Sequence, residues 1–504
     1  MTIDKVPITF SKNNKPKIVV IGLGGLYQHF EACIWSRFEV VALLDNNPSK
    51  FGLNVNGIKV DKVNHICQYE CELIFITSMY SAEILTQLHS VGINNNKVKC
   101  YFELFPFLCD DYFVRPEFQK EIVAKWSVLS KEDTESKLNV LFVINSLVFG
   151  GVEHSLINLI NIIPQDNFNI TLLVLFPLGE LFSLVPEHVN LIVLFDNVGM
   201  TLDAMLYLAY ESPANLYEKL VLKDFDVEIA YIEGLSTKLV SASKCLNKIA
   251  WVHTDFSLDH WSNCFYKVGE ERECYLMYPK IVFVSNNIKF IFLDYFCLPS
   301  NSRYYVIYNF VDEIYVREKA MEVVNGHKKN DLLLVSVGRL HPVKGYSRLI
   351  SAVANLRDEG INCSLWLIGD GIERPNLELM IKNLNLERYV FIYGHQSNPY
   401  KYMSFADIYV SSSYAESYGL SIVEAMMLSK PIIATKTAGS LEILGQHEYG
   451  YLVDNNESDL IEGLRVLLIE SELRNSYAKL SIEAAKKFSK TNNLPLLISL
   501  ISNV

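Results

Sequence analysis

The sequence predicts an α/β protein that is built from several domains with parallel sheets. Short apolar runs alternate with longer segments of helical periodicity along the 504 residues, which is the pattern of strands joined by crossover helices. A strand that ends in glycine recurs in KIVVIGLGG (17–25), NVLFVINSLVFGG (139–151) and LLLVSVGRL (332–340). A chain of this length exceeds what one hydrophobic core usually organises. We therefore expect three Rossmann-like domains, each opened by one of these strand-to-helix units.

Two polar stretches mark the predicted domain boundaries. KWSVLSKEDTESK (125–137) and VREKAMEVVNGHKKND (316–331) lack apolar periodicity, as linkers do. The final segment, 481–504, contains the apolar run LPLLISLI, so we expect it to return as a helix to the second domain. The predicted division is 1–124 for the first domain, 125–137 for a linker, 138–315 for the second domain and 316–480 for the third.

Composition narrows the class of protein. A net charge of -12 argues against nucleic-acid binding, which normally needs a basic face. The ten cysteines form no CxxC pair, which favours reduced thiols over a zinc cage or a disulfide framework. Because the chain lacks a signal-peptide pattern and an apolar run of roughly 18 residues, we expect a cytoplasmic protein. Its many tyrosines and phenylalanines are compatible with peripheral contact at the inner face of the plasma membrane.

The segment SSSYAESYGLSIVEAMMLSKPIIAT (411–435) carries two glutamates after a predicted strand. Glu416 lies in a loop, and Glu424 lies on a helix that begins near Gly419. Apolar residues three and four positions from Glu424 place its carboxylate on or beside the buried stripe. A buried carboxylate needs a partner, and the hydroxyls of a ribose could supply one. The alternative is an ordinary boundary glutamate.

The start of the same helix is a candidate diphosphate site, because free backbone N–H groups at a helix N-terminus attract anions. Arg339 and Lys344, in VGRLHPVKG (337–345), follow a strand at the edge where α/β sheets bind ligands. The alternatives are simple capping by a serine and solvated surface charges. The N–H groups in question belong to Ser417, Tyr418, Gly419 and Leu420.

These stretches, with LWLIGDG, YGHQSNPYKYMSFADIYV and TAGSLEIL, closely resemble the C-terminal domain of the family-four retaining glycosyltransferases, also called glycosyl transferases group 1. The resemblance covers about 331–454. It includes the hallmark of two glutamates separated by seven residues, with Gly-Leu between them. It implies the GT-B fold, in which two Rossmann-like domains face each other, here preceded by a third Rossmann-like domain.

The resemblance also implies roles for individual residues of the third domain. Glu416 would contact the hydroxyls of the donor sugar, and Glu424 would contact the ribose. Arg339 and Lys344 would hold the diphosphate. The remaining contact, to the base, would come from the backbone near Gly394 and His395.

In the second domain, Gly150 and Gly151 follow a strand and precede a segment with helical spacing. Such a turn lets a substrate approach the backbone, although the glycines could merely permit a tight turn. The family often carries Gly-Gly-x-Glu here, matched by Glu153, and the resemblance implies that this loop faces the donor. His253 ends the strand of KIAWVHTD; a lone histidine there is more often structural, but the resemblance implies that it arranges donor and acceptor.

A metal site is not expected. Asp224 and Asp226 resemble the metal-binding DxD of another glycosyltransferase architecture, but they precede the strand VEIAYI and so lie at the wrong edge of the sheet. The resemblance implies a metal-independent reaction that retains the anomeric configuration by a front-face route. Arg339, Lys344 and the helix N-terminus would then stabilise the leaving group.

The first domain carries an incomplete dinucleotide fingerprint. Gly22 and Gly24 follow the first strand, and Asp45 stands about where a ribose-binding acid belongs. However, Tyr27 replaces the third glycine of GxGxxG, where it would crowd the contact between helix and strand. The segment resembles nucleotide-binding modules fused to sugar-pathway enzymes. NAD or another nucleotide is one hypothesis, and a structural or oligomerising role is the other.

The predicted function is transfer of a sugar, with retention, from a nucleotide-sugar to a glycan or lipid-linked acceptor in surface polysaccharide biosynthesis, without a required cofactor. A UDP-sugar is the donor that the family favours. Three alternatives stay open: a sugar-nucleotide epimerase of GT-B fold, a non-catalytic nucleotide-sugar-binding scaffold, and an NAD-linked dehydrogenase led by the first domain.

Overall fold

The structure of the protein, a computed structural model, contains three successive α/β units. The described residues are 15–109, 111–129, 137–148, 150–258, 260–299, 301–324 and 331–502. Within these ranges, each predicted glycine-punctuated strand is the first strand of its own sheet. The predicted α/β class with three Rossmann-like units is therefore confirmed.

The first unit is a six-stranded sheet in the order β3-β4-β2-β1-β5-β6, parallel except for the β3–β4 hairpin. At the end of β1, Gly22 has φ of 92° and a Cβ there would lie 2.9 Å from the Cβ of Ser78, so the tight turn requires glycine. The elements are β1 (Lys17–Ile21), α1 (Gly25–Arg37), β2 (Glu39–Asp45), β3 (Asn54–Val55), β4 (Ile58–Lys62), β5 (Leu73–Ile76), α2 (Ser81–Ser90), β6 (Val98–Lys99), α3 (Phe105–Leu108) and α4 (Pro116–Ser127).

The second unit is a seven-stranded parallel sheet in the order β13-β12-β11-β10-β7-β8-β9. Two of its inner strands, Val227–Ala230 and Lys248–Val252, are buried along their whole length, as expected for a parallel sheet that is covered on both faces. The elements are β7 (Leu138–Ile144), α5 (Gly151–Ile162), β8 (Phe168–Val174), β9 (Asn190–Val193), α6 (Thr201–Tyr210), α7 (Pro213–Leu220), β10 (Val227–Ala230), α8 (Leu235–Ser241), β11 (Lys248–Val252), α9 (Glu270–Leu276), β12 (Lys280–Phe283), α10 (Asn286–Tyr295) and β13 (Tyr304–Val306).

The third unit is a six-stranded parallel sheet in the order β16-β15-β14-β17-β18-β19. The elements are α11 (Glu313–Ala320), β14 (Leu332–Val337), α12 (Tyr346–Asp358), β15 (Cys363–Ile368), α13 (Arg374–Asn383), β16 (Val390–Ile392), α14 (Tyr400–Phe405), β17 (Ile408–Ser411), α15 (Leu420–Met427), β18 (Ile432–Thr435), α16 (Ala438–Leu444), β19 (Tyr451–Val453), α17 (Glu457–Ile469), α18 (Ser471–Ala485) and α19 (Lys490–Ser502).

The end of the first predicted domain packs on the second unit through aromatic side chains. Phe113 stacks on Tyr207 with ring centroids 5.0 Å apart, and the indole of Trp126 donates to the backbone oxygen of Leu220 at 2.8 Å. Because α4 extends to Ser127, the predicted linker is corrected: 125–127 form the last turn of a packed helix. The linker residues 130–136 lie outside the described ranges.

The connections between the second and third units also differ from the prediction. The predicted boundary at 315/316 falls inside α11, which packs against α14 and α15 of the third unit. The last helix, α19, lies against the second unit, where the side chains of Asn247 and Lys280 donate to the backbone oxygens of Ile501 and Leu500. None of the helices in the described ranges combines the length and the apolar character that a bilayer crossing requires.

Candidate functional site

The strand order places a ligand crevice in each of the two C-terminal sheets. In an open parallel sheet, ligands bind beyond the carboxyl ends of the two strands between which the order reverses. In the third unit these strands are β14 and β17, and in the second unit they are β7 and β10. The loops that leave these four strands contain most of the residues that the sequence singled out.

The loops after β14 and β17 are in close contact. Gly345 has φ of 63°, and a Cβ there would lie 2.2 Å from the backbone oxygen of Ser412. The Ser412 hydroxyl in turn donates to the backbone oxygen of Lys344 at 2.9 Å. Arg348, which the sequence analysis missed, is buried and donates through Nε and Nη2 to the Ser412 oxygen at 2.9 and 2.5 Å. These contacts fix the two loops relative to each other.

This arrangement joins Lys344 and Glu416 in an ion pair. Lys344 Nζ lies 2.5 Å from Glu416 Oε2, and the two side chains keep 20% and 18% of their surface exposed. The Ser413 hydroxyl lies 3.4 Å from the same carboxylate oxygen. The pair is therefore partly buried but still reachable by a ligand in the crevice.

Arg339, on the loop after β14, is exposed. It has no hydrogen-bond or ion-pair partner among the residues that the structure describes. Its charge nevertheless acts on Glu153 of the second unit. The guanidinium is thus available to an anion at the boundary between the two crevices.

The start of α15 differs in detail from the prediction. Gly419 is the N-terminal cap with φ of 90°, no side chain caps the helix, and the first helical residue is Leu420. Ser417 therefore does not cap it. Within the described ranges, no acceptor pairs with the N–H groups of Leu420 and Ser421, so they can receive an anion. The side chain of Tyr418 is buried, and its hydroxyl donates to the backbone oxygen of Asn309 at 3.2 Å.

Glu424 lies one turn further along α15 and is half-buried. Its Oε1 accepts a hydrogen bond from the Tyr400 hydroxyl at 3.0 Å. Burial raises the pKa of Glu424 to about 7, although the Tyr400 hydrogen bond acts in the opposite direction. Its Oε2 has no partner among the described residues. In the structure, the carboxylate of Glu424 lies beside the buried apolar side chains of α15, where the sequence predicts it.

Gly394 and His395 follow β16 at the same edge of the third sheet. Gly394 has φ of 69°, and its oxygen accepts from the N–H of Gly369 at 2.9 Å. His395 is exposed. The pKa of the nearby Asp370 carboxyl is lowered, mainly by hydrogen bonds from Gly371 and Arg374 and to a smaller extent by the charge of His395. The loops after β15 and β16 thus form one wall of the crevice.

The loop after β7 lies opposite this crevice. Gly150 is the N-terminal cap of α5, Gly151 is the first residue of the helix, and Glu153 is buried. Burial raises the pKa of Glu153, and the guanidinium of Arg339 opposes that rise from the third unit. His154 Nδ1 lies 3.0 Å from the Gly150 oxygen. The two crevices therefore face each other.

His253 is deeply buried at the end of β11 and is only 6% exposed. Neither ring nitrogen has a hydrogen-bond partner among the described residues. Burial lowers the pKa of His253 to about 3, so the ring is neutral near pH 7 and does not act there as a charged acid. Near pH 7 any hydrogen bond made by His253 is therefore that of a neutral imidazole.

Glu233, which follows β10 at the same crevice, was missed by the sequence analysis. One of its oxygens accepts from the backbone N–H groups of His253 and Thr254 at 2.5 and 2.7 Å. Glu233 is fully buried, and burial raises its pKa. Its place directly after a strand end was the signal that could have identified it. It fixes the loop that carries His253.

In the candidate nucleotide site of the first unit, the side chain of Asp45 is hydrogen-bonded within the protein. Asp45 accepts from the N–H of Leu23 at 2.8 Å and from Lys50 Nζ at 2.9 Å. Burial alone would raise the pKa of Asp45, but these hydrogen bonds and that from Asn47 hold it below its ordinary value. The carboxylate that the sequence predicts for a ribose contact, near Gly22 and Gly24, thus already accepts hydrogen bonds within the protein. Tyr27 is buried on α1, where the third glycine of the fingerprint would stand.

Asp226 lies at the amino edge of the second sheet, just before β10. Its side chain accepts from the backbone N–H of Asn139 at 2.7 Å. In the described residues no three histidine, cysteine, aspartate or glutamate side chains are arranged to hold a metal ion. The carboxylate of Asp226 thus aligns the starts of β7 and β10.

Sequence comparison links the described architecture to known proteins. Residues 317–493 match the family model Glycosyl transferases group 1, and residues 14–99 match the model C2185-like, N-terminal. An N-acetylgalactosamine-N,N'-diacetylbacillosaminyl-diphospho-undecaprenol 4-alpha-N-acetylgalactosaminyltransferase of Campylobacter jejuni is 30% identical over 221 residues, 43% of this chain and 58% of that protein. The lipopolysaccharide core biosynthesis glycosyltransferase LpsE of Rhizobium meliloti is 30% identical over 148 residues, 29% of this chain and 42% of LpsE. The chain thus spans about half the length of the curated relatives it matches.

Solved structures with a similar fold are GT-B proteins. Anabaena HepE in complex with UDP aligns with a TM-score of 0.57 and 20% identity, covering 72% of this chain and all of HepE. WaaG, a glycosyltransferase involved in lipopolysaccharide biosynthesis, aligns with a TM-score of 0.52 and 17% identity, covering 72% of this chain and all of WaaG. The predicted GT-B fold of the second and third units, preceded by an extra α/β domain, is confirmed.

Proposed function

Because the chain carries, in residues 317–493, a domain of the family Glycosyl transferases group 1, we propose that it is a retaining glycosyltransferase that uses a nucleotide-sugar donor. One observation carries this proposal: the Lys344–Glu416 ion pair lies in the crevice between β14 and β17, and the exposed Arg339 lies on the same loop as Lys344. Cations, a carboxylate and free N–H groups at one strand edge suit a sugar attached to a diphosphate.

The donor would lie across the crevice of the third unit. Arg339 and Lys344, with the N–H groups of Leu420 and Ser421, would bind the diphosphate. Glu416 would accept hydrogen bonds from the hydroxyls of the sugar, and Glu424 Oε2 from those of the ribose. Gly394 and His395 would border the base. We propose UDP as the nucleotide, because a structurally similar protein, Anabaena HepE, binds UDP and UDP-glucose.

The reaction would follow a front-face route without a metal ion. The bond between the anomeric carbon and the diphosphate oxygen breaks, leaving an oxocarbenium-like sugar. The acceptor hydroxyl attacks the same face, and its proton passes to the departing phosphate oxygen. Arg339 and Lys344 stabilise the negative charge that develops on the leaving group, a contribution of roughly 3–4 kcal/mol for each well-placed donor. Neutral His253 would donate a hydrogen bond to the sugar, or accept one from it, while the sugar passes from the diphosphate to the acceptor.

The acceptor would enter through the second unit. The loops after β7 and β8 expose Val148 and Leu184 at 38% and 52%, so the entrance has apolar surface beside the Gly150 turn. We propose a glycan or lipid-linked acceptor of surface polysaccharide synthesis, used at the inner face of the plasma membrane. The similar Campylobacter enzyme is named for a diphospho-undecaprenol acceptor.

A thermal-shift panel of UDP, GDP, ADP and NAD tests the donor site. Saturation at about 100 times Kd stabilises a protein by roughly 2.7 kcal/mol, and we expect UDP to produce this shift. Arg339→Ala should abolish it. Arg388→Ala is the matched control, because Arg388 is exposed but precedes β16 at the opposite edge of the sheet.

Turnover separates the proposed transferase from the two alternatives that share its fold. Two results together support the transferase: UDP raises the melting temperature, and a UDP-sugar releases UDP only when an acceptor is supplied. A UDP-sugar that changes configuration without an acceptor indicates an epimerase, and binding without turnover on lipid-linked or glycan acceptors indicates a scaffold. A protein that none of the nucleoside diphosphates stabilises would refute the proposal.

A further inference from the structure

Tyr400 and Glu424 form a contact that the family hallmark does not include. The Tyr400 hydroxyl lies 3.0 Å from Glu424 Oε1, while Glu424 Oε2 has no partner among the described residues. One oxygen of the carboxylate is thus held by the protein, and the other is left for a ligand. Both side chains are half-buried, so the contact borders the crevice.

Tyr400 is itself held in place by its surroundings. Its backbone N–H donates to Asn398 Oδ1 at 3.1 Å, which fixes the start of α14. The ring of Tyr315 on α11 meets the Tyr400 ring edge-on, with centroids 6.1 Å apart. A tyrosine packed in this way presents its hydroxyl in one direction at little further entropic cost.

We infer that Tyr400 is a positioning residue for ribose recognition: its hydroxyl orients Glu424 so that Oε2 accepts hydrogen bonds from the ribose diol of the donor. This inference rests on the proposed function, because it assumes that a nucleotide occupies the crevice. Tyr400 does not touch the ligand in this arrangement. It acts through the carboxylate.

The hydrogen bond has an electrostatic as well as a geometric effect. A hydroxyl that donates to a carboxylate favours the ionised form, and only the ionised form leaves both oxygens as acceptors. Burial works against ionisation, since it raises the pKa of Glu424 to about 7. The other titratable groups that face this pair are Tyr315 on α11, Asp312 at its start, and Tyr409 on β17.

Calorimetric titration with UDP and 2′,3′-dideoxy-UDP tests the inference. The two ligands differ only in the ribose hydroxyls, so the ratio of their affinities reports the diol contact alone. In Tyr400→Phe we expect UDP affinity to fall about tenfold, the scale of one hydrogen bond to a charged group. The affinity for dideoxy-UDP should change by less than about twofold, because the ring remains in place.

Tyr402→Phe is the matched control. Tyr402 lies on the same helix, is buried, and donates through its hydroxyl to Gln396 Oε1 at 3.0 Å, but it does not contact Glu424. We expect this variant to keep the wild-type preference for UDP over dideoxy-UDP. An equal loss of preference in both variants would mean that α14 is merely loosened, and it would overturn the inference.

The pH profile gives a second readout. The ratio of the two affinities cancels the titration of the diphosphate, which both ligands share. In the wild type the preference for UDP should weaken as pH falls through about 7, where Glu424 becomes protonated. In Tyr400→Phe the weakening should begin at a higher pH, because the hydrogen bond that favours the carboxylate is gone.

The outcomes separate this inference from the function on which it rests. If the wild type binds none of the nucleoside diphosphates, the proposed function fails and the inference fails with it. If the wild type prefers UDP over dideoxy-UDP and Tyr400→Phe keeps that preference and its pH profile, only the inference is overturned. Loss of the preference in Tyr400→Phe alone supports it.

Discussion

Lys344 Nζ lies 2.5 Å from Glu416 Oε2, although the two residues are far apart in the chain and sit on loops that follow different strands. The pair exists because β14 and β17 are adjacent in the sheet and Gly345 lets their loops meet. In this position each charge compensates the other until a ligand arrives. A diphosphate would compete for the lysine, and the hydroxyls of a sugar would compete for the carboxylate.

Lys344→Ala should lower kcat for sugar transfer roughly 100-fold or more, because a preorganised cation at the leaving group is lost. Steady-state kinetics with a UDP-sugar would measure this effect. The matched control is Lys436→Ala, which breaks an exposed ion pair with Asp454 in the same domain and should leave kcat within about twofold. Unchanged kcat in Lys344→Ala would contradict the assigned role.

The fold class can be predicted from the sequence because its signals are local. Each sheet begins with an apolar strand that ends near a glycine, and such a strand can be recognised from a few neighbouring residues. The site was predicted less completely. Arg339, Lys344, Glu416 and Glu424 stand in a recognisable motif. Their mutual geometry depends on which strands become neighbours, and this long-range property is not encoded in the spacing of any one segment.

Residues that act on backbone atoms were the ones missed. Glu233 accepts from the N–H groups of His253 and Thr254, and Arg348 donates to the oxygen of Ser412. A backbone partner leaves no signature in the residue types that surround it. For the same reason the sequence does not reveal that the backbone N–H of Leu23 and the ammonium group of Lys50 donate hydrogen bonds to Asp45.

Gly439→Ala should disturb the loop after β17, which carries Glu416, without changing a charged group. A Cβ at Gly439 would lie 2.3 Å from the backbone oxygen of Tyr418, and the Gly439 N–H donates to the oxygen of Glu416 at 2.7 Å. The loop must therefore shift, and we expect UDP affinity to fall at least about tenfold, with a stability loss of roughly 1–3 kcal/mol. Calorimetry would measure the affinity. Gly25→Ala in the first unit, where a Cβ would meet open space, should leave it unchanged.

Glu424→Gln should stabilise the free protein above neutral pH. The pKa of Glu424 is raised from 4.5 to about 7, so the folded state binds the proton more tightly than the unfolded state. Its contribution to stability is full below pH 4.5 and is lost as pH rises through about 7. At pH 8 the neutral amide avoids the cost of a buried charge, and we expect a gain of roughly 1–3 kcal/mol. Urea unfolding at pH 5 and pH 8 checks this; a gain that is equal at both values would contradict the titration.

Glu442→Gln should loosen the contact between the second and third units, with an effect that depends on pH. Glu442 Oε1 accepts from Tyr308 at 2.7 Å and from Asn286 at 2.9 Å across the domain boundary. Burial alone would raise its pKa, but these hydrogen bonds hold it below its ordinary value. The stabilisation is therefore present above pH 4.5 and is lost as pH falls. Small-angle scattering should show a larger radius of gyration in the variant at pH 7, and no difference from the wild type in acid.

Phe113→Ala should separate the first unit from the second more effectively than any charge change. Phe113 is buried, and its ring is parallel within 10° to that of Tyr207 and meets Phe118 edge-on at 5.3 Å. Removing a buried phenyl ring from such a cluster costs about 3–5 kcal/mol. Val114→Ala, at a neighbouring side chain that is 44% exposed, should cost less than about 0.5 kcal/mol. Denaturant unfolding followed by tryptophan fluorescence would measure both, since Trp126 lies in the same interface. Equal stabilities would mean that the aromatic cluster does not hold the two units together.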